Sequence, residues 1–314
     1  MKSILTLTLN PCIDISSHVE EVLQQEKMRC SKLQYDPGGG GINVSRVIKE
    51  LGGSSLAVYC SGGPTGKLLE ELLERDSLER KTISIKGWIR QNSTFLEDKS
   101  NQQFRFGMPG PRLAESEWQE CLDYVLNLEP IPSYIVISGA LPPGVPTTFI
   151  SQLANQLKDT HARLIVDTSG EALQQAANNK VYLLKPNLRE FAKILNRKQI
   201  NDHELEACCK EFMEKGLCEV LILSLGEKGA VFATSDEIKR IVAPKVKAKS
   251  KIGAGDSMVG GIIFGLVNDY RLFDSAILGV AAGTAAVLTD GTELCRKDNV
   301  LKIYREMKRE SDGR

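Results

Sequence analysis

The sequence predicts an α/β fold: a mostly parallel central sheet sandwiched between helices, with a second, smaller β-sheet set into it. Apolar runs of strand length recur along the chain, and candidate helices separate them. Two polar stretches, 15–35 and 86–107, break that alternation.

Taken in order, "ILTLTLN" near the start alternates large apolar side chains with Thr, the period of a strand. "SLAVYC", "YIVISG", "RLIVDTS" and "VYLLKPN" follow as buried strands. Helices are predicted between them at 66–75, 115–128, 147–159 and 188–196. The last third adds "VLILSLG", "GAVFAT" and "RIVAPKV", then two helices rich in Gly and Ala at 255–268 and 273–289. No low-complexity linker, repeat or Pro-rich hinge interrupts the 314 residues, so a single domain spanning 1–314 is expected. The two inserted stretches read as short polar strands around turns such as "DKSNQ". A sheet that small leaves an apolar face bare, which must cover a cleft or another subunit.

Lys plus Arg and Asp plus Glu each number 40, a balance that argues against a nucleic-acid partner. Eight Cys are scattered without C-x-x-C pairs and read as reduced thiols of a cytosolic protein. The N-terminus is too short and too interrupted for a signal peptide, and no apolar run reaches the roughly 20 residues of a membrane helix. A soluble cytoplasmic protein with no membrane partner is expected.

Several stretches could carry chemistry. In "DPGGGGINVSRVIKELGG", glycines 38–41 feed a helix whose apolar stripe falls at 44, 47, 48 and 51. Such a run serves as a tight turn or as a cradle for an anion or polyol. It is no dinucleotide fingerprint, because Asn43 stands where that spacing needs Gly. Asn43 offers donor and acceptors to sugar hydroxyls, and Asp14 can accept from two of them, although alone it reads as a cap or turn residue. "LLKPNLREF" puts Asn187 and Glu190 on one helix face at the carboxyl edge of the sheet. They could hold Mg²⁺ through water, but in isolation they read as a helix start and a surface Glu. "LILSLGEKGAVF", with Gly226 and Gly229, is a weak signal for a nucleotide-side hairpin, and the six basic residues from 239 to 251 read as a solvated strand edge.

"SKIGAGDSMVGG" is the most informative stretch. Gly253, Ala254 and Gly255 precede a helix, so their N–H groups can converge on a phosphoryl group with the helix dipole behind them. Asp256 stands too close to that point to be a phosphate ligand and suits a base for an incoming hydroxyl. Capping alone leaves unexplained the three small residues before it and glycines 260, 261 and 265 after it.

These motifs, with "PGGGGINVSR", "SGALPPGV", "VDTSGEAL", "KPNLRE" and "LSLGEKGA", make the chain resemble the ribokinase-like (PfkB-type) carbohydrate kinases over about its whole length. "RQN" at 90–92, "FRFGMPG" at 104–110 and "GTELC" at 291–295 resemble the sugar-phosphate branch, nearest its minor-type 6-phosphofructokinases. One departure is Ala140, where Ser is common.

The resemblance implies a ribokinase-like three-layer α/β/α sandwich, a β-sheet lid, a homodimer joined through the lids, ATP, Mg²⁺ and K⁺. Asp256 would be the base and 253–255 the anion hole. Asp14, Gly39, Asn43, Ser138 and Gly139 would meet the sugar. Its phosphate would need cations from the lid: Lys27, Arg29, Arg90 or Arg105, with Arg90 favoured and Arg29 reaching across the dimer. Lys185, Asn187, Ser224, Gly226, Gly229 and Ser250 would flank ATP, with Gly279 and Gly283 beneath the adenine. Glu190 and Asn187 would place Mg²⁺, and Ser250, Ile252, Ala286, Thr289, Gly291 and Glu293 a monovalent cation. The implied reaction is phosphorylation of fructose 6-phosphate at its C1 hydroxyl. Tagatose 6-phosphate, fructose 1-phosphate and a non-catalytic sugar-phosphate sensor stand as alternatives.

Overall fold

A computed structural model describes residues 2–312. The chain runs through β1 (Ile4–Thr8), β2 (Cys12–Val19), β3 (Cys30–Gly38) and α1 (Gly40–Leu51). Next come β4 (Leu56–Ser61), α2 (Gly63–Asp76), β5 (Glu79–Ser84), β6 (Arg90–Glu97), β7 (Gln102–Phe106) and α3 (Glu115–Leu126). Then β8 (Tyr134–Ser138), α4 (Phe149–Leu157), β9 (Arg163–Asp167), α5 (Gly170–Ala176), β10 (Val181–Leu184), α6 (Leu188–Ile194) and α7 (Leu205–Glu214) follow. The last part holds β11 (Cys218–Ser224), β12 (Ala230–Ala233), β13 (Ile238–Ile241), α8 (Ala254–Val267), α9 (Leu272–Ala286) and α10 (Lys297–Asp312).

Nine strands form the large sheet in the order β13-β12-β11-β10-β9-β8-β1-β4-β5. All its pairings are parallel except those of β12, a hairpin edge. Alternation along β1 sends Leu5 and Leu7 into one apolar layer with α2 to α7, and Ile4 into the other with α1, α8, α9 and α10. Thr6, also buried, meets α1 through a 2.8 Å contact with Ser45 Oγ.

The two inserted stretches pair as a second sheet, β3-β2-β6-β7, whose strands begin at Cys12 and Arg90 rather than at 15 and 86. Its registers separate two faces. Asp36, Asp14 and Asn92 form one row across three strands, while Tyr35, Ile15, Ser93 and Phe106 form a row on the opposite face.

Three helices go beyond those predicted: α5, α7 and α10, and β5 was likewise missed. The predicted helices are found with ends shifted by up to three residues, and the last strand ends at Ile241 rather than running on through "APKV". The glycines after Asp256 also have a packing role. A Cβ at Gly260 would lie 2.5 Å from Val47 Cγ1, and one at Gly261 2.9 Å from Leu278 O. They let α8 lie close on α1 and α9, which accounts for them without a role in the chemistry at Asp256.

Candidate active site

The strands β8, β9 and β10 end together at one edge of the large sheet, the edge at which parallel α/β sheets collect ligands. Ser138 closes β8, Asp167 closes β9 and Lys185 follows β10. Lys185 is 5% exposed, and its Nζ sits 3.0 Å from Asp167 Oδ1. Burial alone would depress the ammonium, but attraction and hydrogen bonding from Asp167, with help from Asp256 and Glu190, hold it above its usual value. It is charged.

Helix α8 points its N-terminus at this ammonium. Gly253, its N-cap, adopts φ 71°, and no side chain caps the helix. Ser257 N–H makes the first bond of the ladder, to Gly253 O at 2.8 Å, so the N–H groups of Ala254, Gly255 and Asp256 precede it. A side chain at Gly255 would point toward Lys185, with Nζ 3.7 Å from its Cβ and nothing nearer. An anion placed there would meet free N–H groups, a helix dipole and an ammonium.

Asp256 lies at the third helical position, so it is not the cap. Its Oδ2 accepts from Asn43 Nδ2 at 2.8 Å. The carboxyl is pushed up to about 6: burial is the main cause and Asp167 adds to it, while Asn43 and Lys185 oppose and Asp14 contributes upward. Such a group is ionised at neutral pH, yet basic enough to take a proton.

Asn43 comes from the first turn of α1, held by its N–H to Gly39 O at 2.9 Å. The glycine run ahead of it is tight against the sheet. A Cβ at Gly40 would overlap Ser138 Oγ at 2.3 Å, and one at Gly41 would overlap Thr8 Oγ1 at 2.5 Å. Among the described residues, four buried oxygens here, on Thr8, Asn10, Asn43 and Ser138, have no hydrogen-bond partner. Buried polar atoms are nearly always satisfied, so this cluster fits a polyol ligand. Gly139 is tied in by its N–H to Asp167 O at 2.9 Å.

On the small sheet, Asp14 lies within β2 rather than in a turn. Its Oδ1 accepts from Asn92 Nδ2 at 2.9 Å and from Cys12 Sγ at 3.2 Å. Arg90, paired with Cys12, donates to Met108 O at 3.3 Å and Asn10 O at 3.2 Å, and its buried Nε is unpartnered. Arg105 is exposed on β7, opposite Thr94. Lys27 and Arg29 lie beyond the Val19–Cys30 pair, five residues along β2 from Asp14, or roughly 17 Å. The structure thus separates them from Asp14 of the same chain.

On the nucleotide side, Asn187 bridges to Ser224 across the sheet edge. Asn187 and Glu190 form a capping box: Asn187 Oδ1 accepts from the Arg189 and Glu190 N–H groups, and Glu190 Oε2 from Asn187 N–H at 2.8 Å. The helix-start reading therefore describes what both side chains do here. Among the described residues no group of three or more His, Cys, Asp or Glu could hold a metal directly. Gly226 has φ 63° and open space beyond it, whereas a Cβ at Gly229 would lie 2.0 Å from Ile241 O. Gly279 and Gly283 pack against α8: a Cβ on Gly279 would meet Ile262 Cγ1 at 2.4 Å, and one on Gly283 Ala254 O at 3.0 Å.

The loops at 249–252 and 286–293 gather neutral oxygens. Ser250 Oγ donates to Gly291 O at 2.6 Å and accepts from Ile252 N–H at 3.2 Å. Thr289 Oγ1 lies 2.7 Å from Ala286 O and 2.8 Å from Glu293 O, two acceptors sharing one hydroxyl hydrogen. A neutral, carbonyl-rich donor set with a surplus of acceptors fits a monovalent cation.

Sequence reasoning missed Asp167, Asn92, Cys12 and Asn10. Asp167 had a signal: a carboxylate ending the buried run "RLIVD" at the edge where ligands collect. Asn92 had none, because only the β2–β6 register brings it to Asp14.

A family model for pfkB family carbohydrate kinases matches residues 7–299. The ATP-dependent 6-phosphofructokinase isozyme 2 of Escherichia coli (strain K12) is 39% identical over 310 residues, 98% of this chain and 100% of that protein. The crystal structure of E. coli phosphofructokinase-2 in complex with fructose-6-phosphate superimposes with a TM-score of 0.91 at 38% identity, covering 98% of this chain and 100% of that one. The same enzyme in complex with potassium gives 0.93 at the same identity and coverage.

Proposed function

Because the chain belongs to the pfkB family of carbohydrate kinases, we propose that it transfers a phosphoryl group from ATP to the C1 hydroxyl of fructose 6-phosphate, giving fructose 1,6-bisphosphate. The observation that carries the reading is Asp256, a base with its carboxyl near 6, one residue from the bare backbone of Gly255 that faces Lys185. Asp256 takes the proton of the attacking hydroxyl while Asn43 holds its other oxygen to one side. The backbone N–H groups of 253–255, with that of Asp256 beside them, and the Lys185 ammonium stabilise the charge on the group in transit, each such donor worth about 3 kcal/mol in the transition state. Asp14, oriented by Asn92 and Cys12, and the unpartnered oxygens of Asn43 and Ser138 hold the sugar hydroxyls.

Magnesium, bound with the nucleotide, would neutralise charge on the polyphosphate. Glu190 and Asn187 would meet it through water, since the capping box already engages both side chains. Potassium would sit among the oxygens of Ser250, Ile252, Ala286, Thr289, Gly291 and Glu293.

The reading includes a homodimer. The outward row of the small sheet leaves Tyr35 41% and Phe106 50% exposed, and Leu33 on the same strand as Tyr35 is 59% exposed. An apolar face of this kind suits a second copy of the same sheet. Lys27 and Arg29, set beyond the Val19–Cys30 pair, would then reach the sugar phosphate held by the partner, with Arg90 contributing within the chain. The eight free thiols accord with a cytoplasmic setting.

The test is ADP release by the purified protein with MgATP and KCl, comparing kcat/KM for fructose 6-phosphate, fructose 1-phosphate, tagatose 6-phosphate and fructose. Fructose 6-phosphate should lead by tenfold or more, about 1.4 kcal/mol of discrimination. Preference for another sugar phosphate overturns the substrate assignment, and no turnover with any of them overturns the kinase reading.

A further inference from the structure

We propose that the hydrogen bond from Thr292 to Asp36 is a latch that couples the monovalent-cation loop to the sugar-binding sheet, an inference that rests on the kinase reading above. Thr292 is 6% exposed, and its Oγ1 donates to Asp36 Oδ2. The same oxygen accepts from Gln34 Nε2 at 2.9 Å. Neither Thr292 nor Asp36 touches the reacting groups; both are positioning residues.

The latch has two ends. At one, Asp36 is the register partner of Asp14, so both carboxylates stand side by side on the same face of β3 and β2. Like charges so placed repel, and each needs its own donors to stay in position. Asp14 has Asn92 and Cys12; Asp36 has Gln34 and Thr292. Removing the Thr292 hydroxyl leaves Asp36 one donor short, directly beside the group assigned to the sugar.

At the other end, Thr292 is flanked by Gly291 and Glu293. Their carbonyls accept from Ser250 Oγ at 2.6 Å and from Thr289 Oγ1 at 2.8 Å. The loop is bracketed by the Lys249–Asp290 ion pair at 2.9 Å. It approaches β2 as well: a Cβ on Gly291 would lie 3.6 Å from Ser16 Oγ. A cation that fixes these carbonyls fixes the backbone on both sides of Thr292, and with it the hydroxyl presented to Asp36. The path from cation loop to sugar thus runs through one hydrogen bond and one pair of facing residues on β2 and β3.

Coupling of this kind is reciprocal: if cation tightens sugar, sugar tightens cation by the same factor. The test is thermal unfolding of the whole protein across a KCl titration, with choline chloride holding ionic strength constant and with or without fructose 6-phosphate. In the parent protein the half-saturating K⁺ should fall about fivefold or more when the sugar is present. In Thr292→Val the two midpoints should coincide, and Thr292→Ser, which keeps the hydroxyl, should restore the gap. In turnover assays Thr292→Val should raise KM for the sugar at low K⁺ with kcat at saturating K⁺ near that of the parent.

A gap that survives in Thr292→Val, or a parent protein whose K⁺ midpoint ignores the sugar, overturns the latch. Either leaves the kinase reading standing if fructose 6-phosphate turns over. If another sugar phosphate proves to be the acceptor, the substrate assignment fails and the same titration with that sugar decides the latch.

Discussion

Asn43 Nδ2 lies 2.8 Å from Asp256 Oδ2, so the first turn of α1 orients the carboxylate presented by the first turn of α8. An Asn at 256 would keep the volume and an oxygen acceptor but lose the base. Asp256→Asn should therefore lower kcat at least about 100-fold, with sugar KM little changed. Steady-state kinetics at pH 8 checks this, and a near-normal kcat removes Asp256 from the proton transfer.

The acid limb of the rate profile follows from the same carboxyl. With Asp256 near 6 in the folded protein, kcat should fall tenfold per pH unit below that value as the proton returns to the base. Lys185 pulls this value down and Asp167 pushes it up. The acid limb should consequently move to higher pH in Lys185→Met and to lower pH in Asp167→Asn. A profile that moves the same way in both variants would assign the limb to another group.

Stability carries the opposite signature. An unfolded Asp titrates near ~4, so between about 4 and 6 the native state binds its proton more tightly than the unfolded chain does. This group's contribution to stability thus falls as pH rises through that window and stays flat above it. Asp256→Asn removes the effect, and its melting temperature at pH 8 should equal or exceed the parent's. A large loss of stability at pH 8 would count against a strained, buried carboxylate at this position.

How much of this was legible in the sequence depends on range. The parallel sheet was, because strands buried on both faces read as continuous apolar runs. The residues around Asp256 were, because a helix start stripped of side chains has few purely structural uses. The glycines at 260, 261, 279 and 283 are ambiguous in a sequence, since close helix packing and ligand contact both ask for Gly, and the structure shows the packing. Helix α10 had a readable stripe in Val300, Ile303 and Met307, and α7 one in Leu205, Cys208, Phe212 and Met213, yet neither was predicted. The Asp14–Asn92 and Asp36–Thr292 contacts have no local trace; strand register and tertiary packing alone create them.

Two glycine substitutions should separate packing from chemistry. Gly40→Ala drives a methyl into Ser138 Oγ and the backbone of residues 138 and 139 at 2.3–2.7 Å, so the melting temperature should fall along with activity. Gly255→Ala meets only Lys185 Nζ, at an ordinary contact distance of 3.7 Å. It should fold normally and still lose kcat, because the methyl occupies the space where the anion belongs. Calorimetry beside kinetics checks both, and equal stability losses would refute the distinction.

The placement of Lys27 and Arg29 decides between one chain and two. Both lie beyond the Val19–Cys30 pair of the small sheet, five residues along β2 from Asp14, which places them away from a sugar phosphate held by their own subunit. If they serve the partner, Arg29→Ala and Asp256→Asn disable different halves of each site. A mixed dimer then holds one site with an intact Asp256 from the first chain and an intact Arg29 from the second. Equal amounts of the two variants, dissociated and reassembled together, should recover about a quarter of the parent activity, because half the dimers are mixed and each has one good site. No recovery, with mixed dimers confirmed by mass, would show that each subunit supplies its own phosphate-binding cations.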